Sequence, residues 1–367
     1  MAVEYNREIY FTWRAINGYN KAINFAMSPR EPGKTTSYWF EHYNTFKKNH
    51  KPVIYLVRQV VEIGDALIDS IIENNIRKFT DDKFQITYNQ GKFKDGIVDV
   101  YISFCNTDAD GVDHYEDKEI FFRIISLSIK LRRIKLALLK GCNEAFMDEY
   151  IIDPKTDEKY LNNEASKIKE AYTTWRREAT GLFKMYFAGN PYSLYNPLFM
   201  WLKVDTTKLR RGSFYVGDIF VIQWATLHPK LREKLLKENP LYQFDEEYSD
   251  YALEGNPAND KNINLGAFPS NYHLDIVFRI MNTNIGVFKN NYIDDMKEKY
   301  YCKSIDDMEV NRCIYCFDFS EMIERSVLVS SSERTKFQHF KNAIRTRNVC
   351  FSDVNIYYLI SEIYKFL

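Results

Sequence analysis

Residues 22–48 place the strongest constraint on this chain. A short apolar stretch, Ala22–Met27, runs into Ser28-Pro29-Arg30-Glu31-Pro32-Gly33-Lys34-Thr35-Thr36, and Ser37–Lys48 then has the pattern of a helix. A strand-to-helix loop ending in Gly-Lys-Thr is the form that a phosphate-cradling loop takes. Its backbone N–H groups face the phosphates, the lysine reaches the outer ones, and the hydroxyl serves a Mg²⁺ ion. The strict pattern opens with glycine; here Ser28 stands in that place. The plainer reading is a polar turn in which Thr35 or Thr36 caps the helix.

Phosphate chemistry of this kind needs an acidic partner at the end of a second strand. Phe146-Met147-Asp148-Glu149 supplies one. Asp148 would hold the metal and Glu149 would act as general base on the attacking water. A further apolar strand, Leu182–Ala188, ends in Gly189-Asn190-Pro191. Asn190 could sense the terminal phosphate and relay hydrolysis to movement, or the Asn-Pro step could simply end the strand. An Asp-Glu pair at a strand end is also common by itself. The pairing with Gly-Lys-Thr is what gives it meaning.

The rest of the first half alternates between strand and helix. Val53–Val57 is a short apolar strand ending at Arg58, Glu62–Lys78 has an amphipathic helical pattern, and Phe84–Phe104 reads as a hairpin. Asn106–Asp117 reads as an acidic loop, Ile120–Leu127 as apolar, and Asn163–Arg177 as helical. This alternation argues an α/β domain with a largely parallel sheet over residues 1–204. Residues 205–261 read as a connecting segment, with a short β piece at Tyr215–Trp224, a helix at Pro229–Asn239 and a polar stretch at Gln243–Lys261. Residues 262–367 read as a second, α+β domain, with strand-like runs at Tyr272–Met281, Ile285–Phe288, Cys313–Phe319 and Ser326–Ser330 before helical runs at Glu333–Arg347 and Asp353–Phe366.

Together these residues resemble the DNA-packaging ATPases of small tailed phages of the phi-twenty-nine type, relatives of terminase large subunits. Tyr19–Phe25 leading into the loop, Val53–Arg58 with its terminal arginine, Tyr160-Leu-Asn-Asn-Glu164 with the helix to Arg177, and Phe340–Leu367 carry the likeness beyond the motor motifs. The resemblance implies an additional-strand P-loop ATPase domain, a linker, and an RNase H-like domain that is a vestigial nuclease. It implies ATP and Mg²⁺ as cofactors, with Ser28–Thr36 cradling the nucleotide and Arg30 matching an arginine found within the loops of that branch. It also implies a ring, a pentamer, seated on the portal of an empty prohead in the host cytoplasm and drawing double-stranded DNA inward. Whether a scaffold RNA joins the ring is left open. Arg176 or Arg177 would be the finger that completes a neighbour's site.

Charge supports only a local nucleic-acid contact, because 50 basic residues balance 50 acidic ones. The basic run from Arg123 to Lys140 holds Lys130, Arg132, Arg133 and Lys135, with no acidic residue between. These residues would touch DNA phosphates, or Lys135 would act on a neighbour's nucleotide; the bland alternative is a solvated helix face. A working nuclease needs clustered carboxylates, the first at the end of a strand. The chain leaves Tyr272–Met281 as Asn282-Thr283-Asn284, with Asp275, Asp318 and Asp353 as the remaining candidates. A non-cutting domain that binds DNA or portal is the better reading, and a cutting terminase-like enzyme is the alternative.

Other classes fall away. Aromatic residues make up 16% of the chain, so it can bury cores. No apolar run approaches the ~18 residues of a membrane span, and Met1–Phe11 lacks a signal core. The six cysteines are scattered, which fits a reducing compartment, and Cys313 with Cys316 is a lone CxxC that reads better as strand than as a zinc site. Tyr10, Trp13 and Tyr19 could stack on adenine or simply pack in a core.

Overall fold

The computed structural model describes residues 4–108, 110–153, 158–161, 163–255, 257, 263–281, 283–290, 299–306, 312–330, 333–364 and 367. The chain forms two compact units. One comprises Met1–Ser193 and Leu209–Ala258, the other Leu194–Lys208 and Asn259–Leu367.

The strands of the first unit are β1 (Ile23–Met27), β2 (Val53–Val57), β3 (Phe84–Tyr88), β4 (Ile97–Thr107), β5 (Asp113–Tyr115), β6 (Glu119–Ser126), β7 (Glu144–Met147), β8 (Lys184–Gly189), β9 (Ser213–Val216) and β10 (Phe220–Trp224). They build one sheet in the order β3-β4-β6-β2-β7-β8-β1-β10-β9, with β5 paired to β4. The six central strands are parallel. A parallel strand is covered on both faces, so it reads as a near-continuous apolar run. Ile-Asn-Phe-Ala-Met and Val-Ile-Tyr-Leu-Val are buried at every position, and the one polar residue among them, Asn24, donates its side-chain amide to the Lys21 and Met185 carbonyls. β8 lies between β1 and β7, the additional-strand order, and it brings three strand ends side by side.

The helices, in chain order, are α1 (Arg14–Asn17), α2 (Lys34–Asn49), α3 (Asp65–Asp69), α4 (Leu131–Leu136), α5 (Glu164–Trp175), α6 (Pro197–Trp201), α7 (Pro229–Glu238), α8 (Leu241–Phe244), α9 (Glu246–Glu254), α10 (Gln338–Arg345) and α11 (Val354–Tyr364). No helix among the described residues is long and apolar enough to cross a membrane. α2 buries Tyr38, Trp39, Tyr43 and Phe46 on one stripe. Tyr38 stacks on Phe146 of β7, ring centroids 4.0 Å apart, and Trp39 packs on Phe122 of β6. These aromatic contacts fix the helix that starts at the loop lysine against the strand that carries the acidic pair.

The second unit holds β11 (Tyr272–Ile280), β12 (Thr283–Asn290), β13 (Tyr300–Ser304), β14 (Ile314–Cys316), β15 (Ser326–Leu328) and β16 (Val349–Phe351). The sheet order is β15-β14-β11-β12-β13-β16. Phe278, Val287 and Tyr300 pack with Phe340, Leu359 and Ile360 of α10 and α11 on one face.

Several sequence expectations are corrected. The stretch 205–261 is not a connector: β9 and β10 extend the first sheet, with β10 parallel to β1, and 194–208 belongs to the second unit. Residues 62–78 do not form one helix. After α3 the chain widens into a π turn at Ser70–Asn74, where Asn75 Nδ2 donates to the Ser70 carbonyl. The acidic loop 106–117 is partly a hairpin, because β4 runs on to Thr107 and Asp108 Oδ1 accepts from the Asp110 and Val112 N–H groups. β13 and β16 were not legible, and the expected strand Cys313–Phe319 shortens to β14. The Asn282 and Phe366 positions lie outside the described residues.

Candidate phosphate-binding and hydrolytic site

The ends of β1, β8 and β7 converge. Ser28 follows β1, its N–H donating to the Gly189 carbonyl of β8 at 3.3 Å. Lys34, the first residue of α2, is buried. Its Nζ donates to Ser28 Oγ at 2.7 Å, Asn190 Oδ1 at 3.1 Å, the Pro29 carbonyl at 3.2 Å and the Ser28 carbonyl at 3.4 Å. Ser28, which breaks the strict pattern, thus gives the lysine an acceptor that glycine lacks. Burial lowers the Lys34 pKa to about 8, opposed by Asp148 and Glu149. The group stays largely protonated at neutral pH and is held where a phosphate would compete for it.

Thr35 Oγ1 donates to Asp148 Oδ2 at 2.6 Å. Burial raises the Asp148 carboxyl, against the Thr35 hydrogen bond and the Lys34 charge. The expected metal pair is therefore in contact. A hydroxyl and a carboxylate, both hard oxygen donors, fit Mg²⁺, which keeps waters and takes phosphate oxygens for its other positions. No cluster of three or more His, Cys, Asp or Glu groups suited to a metal occurs among the described residues. The two-residue set suits an ion shared with a nucleotide better than an all-protein cage.

Glu149 is exposed and has a left-handed backbone, φ 51°. A non-glycine residue in that region is strained by ~1–2 kcal/mol. Its neighbours hold it there. The Glu149 N–H donates to Asp148 Oδ1 at 3.0 Å, and Arg58 Nη1 donates to the Glu149 carbonyl at 3.4 Å. The Tyr150 N–H donates to the Ala188 carbonyl. The Tyr150 ring lies so close to Gly189 that a Cβ there would come within 2.9 Å of it. Although the residue is open to solvent, the protein packed around its carboxyl strips part of the hydration and raises it, and the Asp148 charge raises it further, a direction that favours a proton acceptor.

Arg58 is the residue that sequence reasoning undervalued. It leaves β2 and forms a buried bidentate pair with Glu164, at 2.9 and 3.2 Å, while Nη2 also donates to the Tyr150 carbonyl at 3.2 Å. It ties the start of α5 to the backbone just after the acidic pair. Arg58 and Glu164 stand 106 positions apart in the chain, so only the terminal arginine of the apolar strand hinted at its role.

The remaining candidates separate. Asn190 and Ser28–Thr36 gather around Lys34, but Arg30 turns aside: Nη2 donates to the Tyr192 hydroxyl at 3.0 Å and Nη1 to the Tyr248 hydroxyl at 3.5 Å. Glu31 accepts from the Tyr242 hydroxyl, and Thr36 Oγ1 donates to Asn75. Pro29 and Pro32 contribute their carbonyls. Arg176 and Arg177 are exposed past the end of α5. That helix has 12 residues, so they lie roughly 18 Å along it from Glu164. Among the basic residues, Lys135 pairs with Glu170, and Arg123 is bound by Asp99 and by the carbonyls of Ala137 and Leu138. Lys130, Arg132 and Arg133 are exposed. Trp13 is in the core rather than facing an open base site, and Tyr19 rests on Phe214.

No protein-family model matches the chain, and no curated protein does. Among solved structures it is similar to a chain of the bacteriophage Phi-29 viral genome packaging motor assembly, with a TM-score of 0.65 at 17% identity, covering 97% of this chain and 99% of that one. It is likewise similar to a chain of the Phi-28 gp11 DNA packaging motor, with a TM-score of 0.57 at 16% identity, covering 97% of each. The chain therefore has, over nearly its whole length, the fold of the chains matched in these two phage packaging motors.

Proposed function

We propose that this protein is an ATP-hydrolysing motor that drives double-stranded DNA into a viral prohead. The observation that carries the reading is the convergence of Lys34, Thr35, Asp148 and Asn190 at three adjacent strand ends, with contacts of 2.6–3.1 Å between Thr35 and Asp148 and between Lys34 and Asn190. The fold shared with packaging-motor chains supports the DNA-moving part of it.

In this reading Lys34 leaves Ser28 and Asn190 to meet the β- and γ-phosphates of ATP. Thr35 and Asp148 would hold Mg²⁺, which supplies neutralising charge on the phosphate oxygens. Glu149 takes the proton of the attacking water. Asn190, released from Lys34, is free to report the change along β8. Arg176 or Arg177, exposed past the end of α5, completes the site of a neighbouring copy in a ring, expected to be a pentamer. Lys130, Arg132 and Arg133 are available to DNA phosphates. The portal of the prohead is the docking partner, a scaffold RNA is a further candidate partner, and the host cytoplasm is the place of assembly.

No observation favours the cutting alternative. Asp353 Oδ1 accepts from the Asn355 and Ile356 N–H groups, and Oδ2 from Ser352. Asp275 sits inside β11 at a register shift, away from the strand's end.

The test is steady-state ATP hydrolysis by purified protein, alone, with double-stranded DNA, and with proheads and DNA. Hydrolysis stimulated by DNA or proheads is expected. Absence of hydrolysis with proheads and DNA together would sink the motor reading.

A further inference from the structure

We infer that the N-terminal segment Tyr5–Trp13 is a positioning element of the nucleotide site, and that it aims the phosphate-binding N–H groups by holding the carbonyls behind them. The inference rests on the phosphate-loop reading proposed above.

A trans peptide is planar, with its C=O and the following N–H pointing in opposite directions. Whatever fixes a carbonyl therefore fixes the next residue's N–H. Two loop carbonyls are held directly by this segment. The Phe11 N–H donates to the Pro32 carbonyl at 2.8 Å, and Trp13 Nε1 donates to the Lys34 carbonyl at 3.1 Å. The Tyr5 hydroxyl has one proton, and its nearer acceptor is the Phe11 carbonyl at 2.7 Å, so it braces the residue that holds Pro32. The Gly33 carbonyl, 3.2 Å from the same hydroxyl, already accepts from the Ser37 N–H at 2.7 Å. The N–H groups set by the two held peptides belong to Gly33 and Thr35, on either side of Lys34 at the start of α2, where a helix offers its unpaired donors to an anion.

Gly33 records how closely the segment approaches. Its φ is +89°, and a Cβ there would stand 3.0 Å from the Tyr5 hydroxyl and 3.6 Å from the Tyr10 ring. Tyr5 thus fills the space that a side chain at Gly33 would need. Rings of Tyr10, Phe40 and Phe79 surround Tyr5 with centroids 5.5–5.8 Å away, so the hydroxyl is held in place by packing that phenylalanine would keep. Trp13 is anchored by edge contacts to Tyr38, Phe146 and Tyr186.

The experiment titrates the full chain with ATPγS and Mg²⁺ by calorimetry, and measures inorganic pyrophosphate as a competitor. The variants are Tyr5→Phe and Trp13→Phe, each checked by its melting temperature. Loss of one such hydrogen bond should weaken ATPγS about fivefold, with the same factor for pyrophosphate, because the defect lies in phosphate binding. Tyr5→Phe should melt close to the wild type. Unchanged affinity in both variants, or a loss for ATPγS without one for pyrophosphate, overturns the inference. A wild-type chain that binds neither ligand overturns the phosphate-loop reading itself.

Discussion

Asp148 and Asp353 each follow the end of a buried strand, one in each unit, yet they meet different fates. After β7 the chain turns through the left-handed Glu149, and α5 begins only at Glu164, so the Asp148 carboxylate faces Thr35 and Lys34. After β16 a helix begins at Val354, and the Asp353 carboxylate caps it, accepting from Asn355 at 2.9 Å and Ile356 at 3.2 Å. An acidic residue at a strand end becomes a ligand when the following backbone leaves it facing a cation, and a cap when a helix N-terminus claims it. Among the described residues, Asp148 meets a cation and a hydroxyl at its strand end, and Asp353 meets a helix N-terminus.

The sharpest test of this contrast is Glu149→Gln. Hydrolysis should fall by about 10²–10⁴-fold, the usual contribution of a general base, while ATP still binds; Asp353→Ala should leave hydrolysis unchanged. Normal phosphate release by Glu149→Gln would remove the base from the site. Next in size is Arg58→Ala, which strands the Glu164 carboxylate in the core. Urea unfolding should show the first unit losing ~3–5 kcal/mol, and a loss under 1 kcal/mol would mean that the pair does not anchor the acidic strand.

Acid should also separate the two units. His42 is buried against Phe121, and burial lowers its pKa from 6.5 to about 4. Its folded-state pKa is below the unfolded one, so its contribution is complete above pH 6.5 and is lost as pH falls from 6.5 to 4. That amounts to about 3 kcal/mol. His42 lies in the first unit, so this slope belongs to it. His42→Phe should flatten it, and an unaltered slope in thermal melts would assign the acid sensitivity elsewhere. The smallest effect is that of Asp353→Ala on its own unit, a lost cap of about 1 kcal/mol. A cost several times larger would point to a role for Asp353 beyond capping.

Legibility in the sequence followed the range of the interaction. The Gly-Lys-Thr loop, the acidic pair and the Gly-Asn-Pro strand end could be read because each is a run of adjacent residues whose chemistry depends on local order. The strands β1 and β2 could be read because burial on both faces favours near-continuous apolar runs, interrupted only by Asn24 in β1. The extent of the first sheet could not. β9 and β10 are short, and their assignment depends on pairing with β1, nearly 200 residues earlier in the chain. The break in residues 62–78 depends on Asn75, which binds both the Ser70 carbonyl and Thr36.

The sequence by itself determined that this chain carries a strand-loop-helix ending in Gly-Lys-Thr and an acidic pair at the end of a later strand. It did so because glycine, lysine, threonine and carboxylates act there through backbone conformation and formal charge, which are local properties. Only the tertiary structure decided that β8 would lie between β1 and β7, that Arg58 would pair with Glu164 beside the acidic strand, and that Arg176 and Arg177 would be exposed past the end of α5. It also placed the N-terminal segment behind the loop. Each of these depends on which distant segments share a wall of the core, and that is set by packing rather than by the composition of any one run.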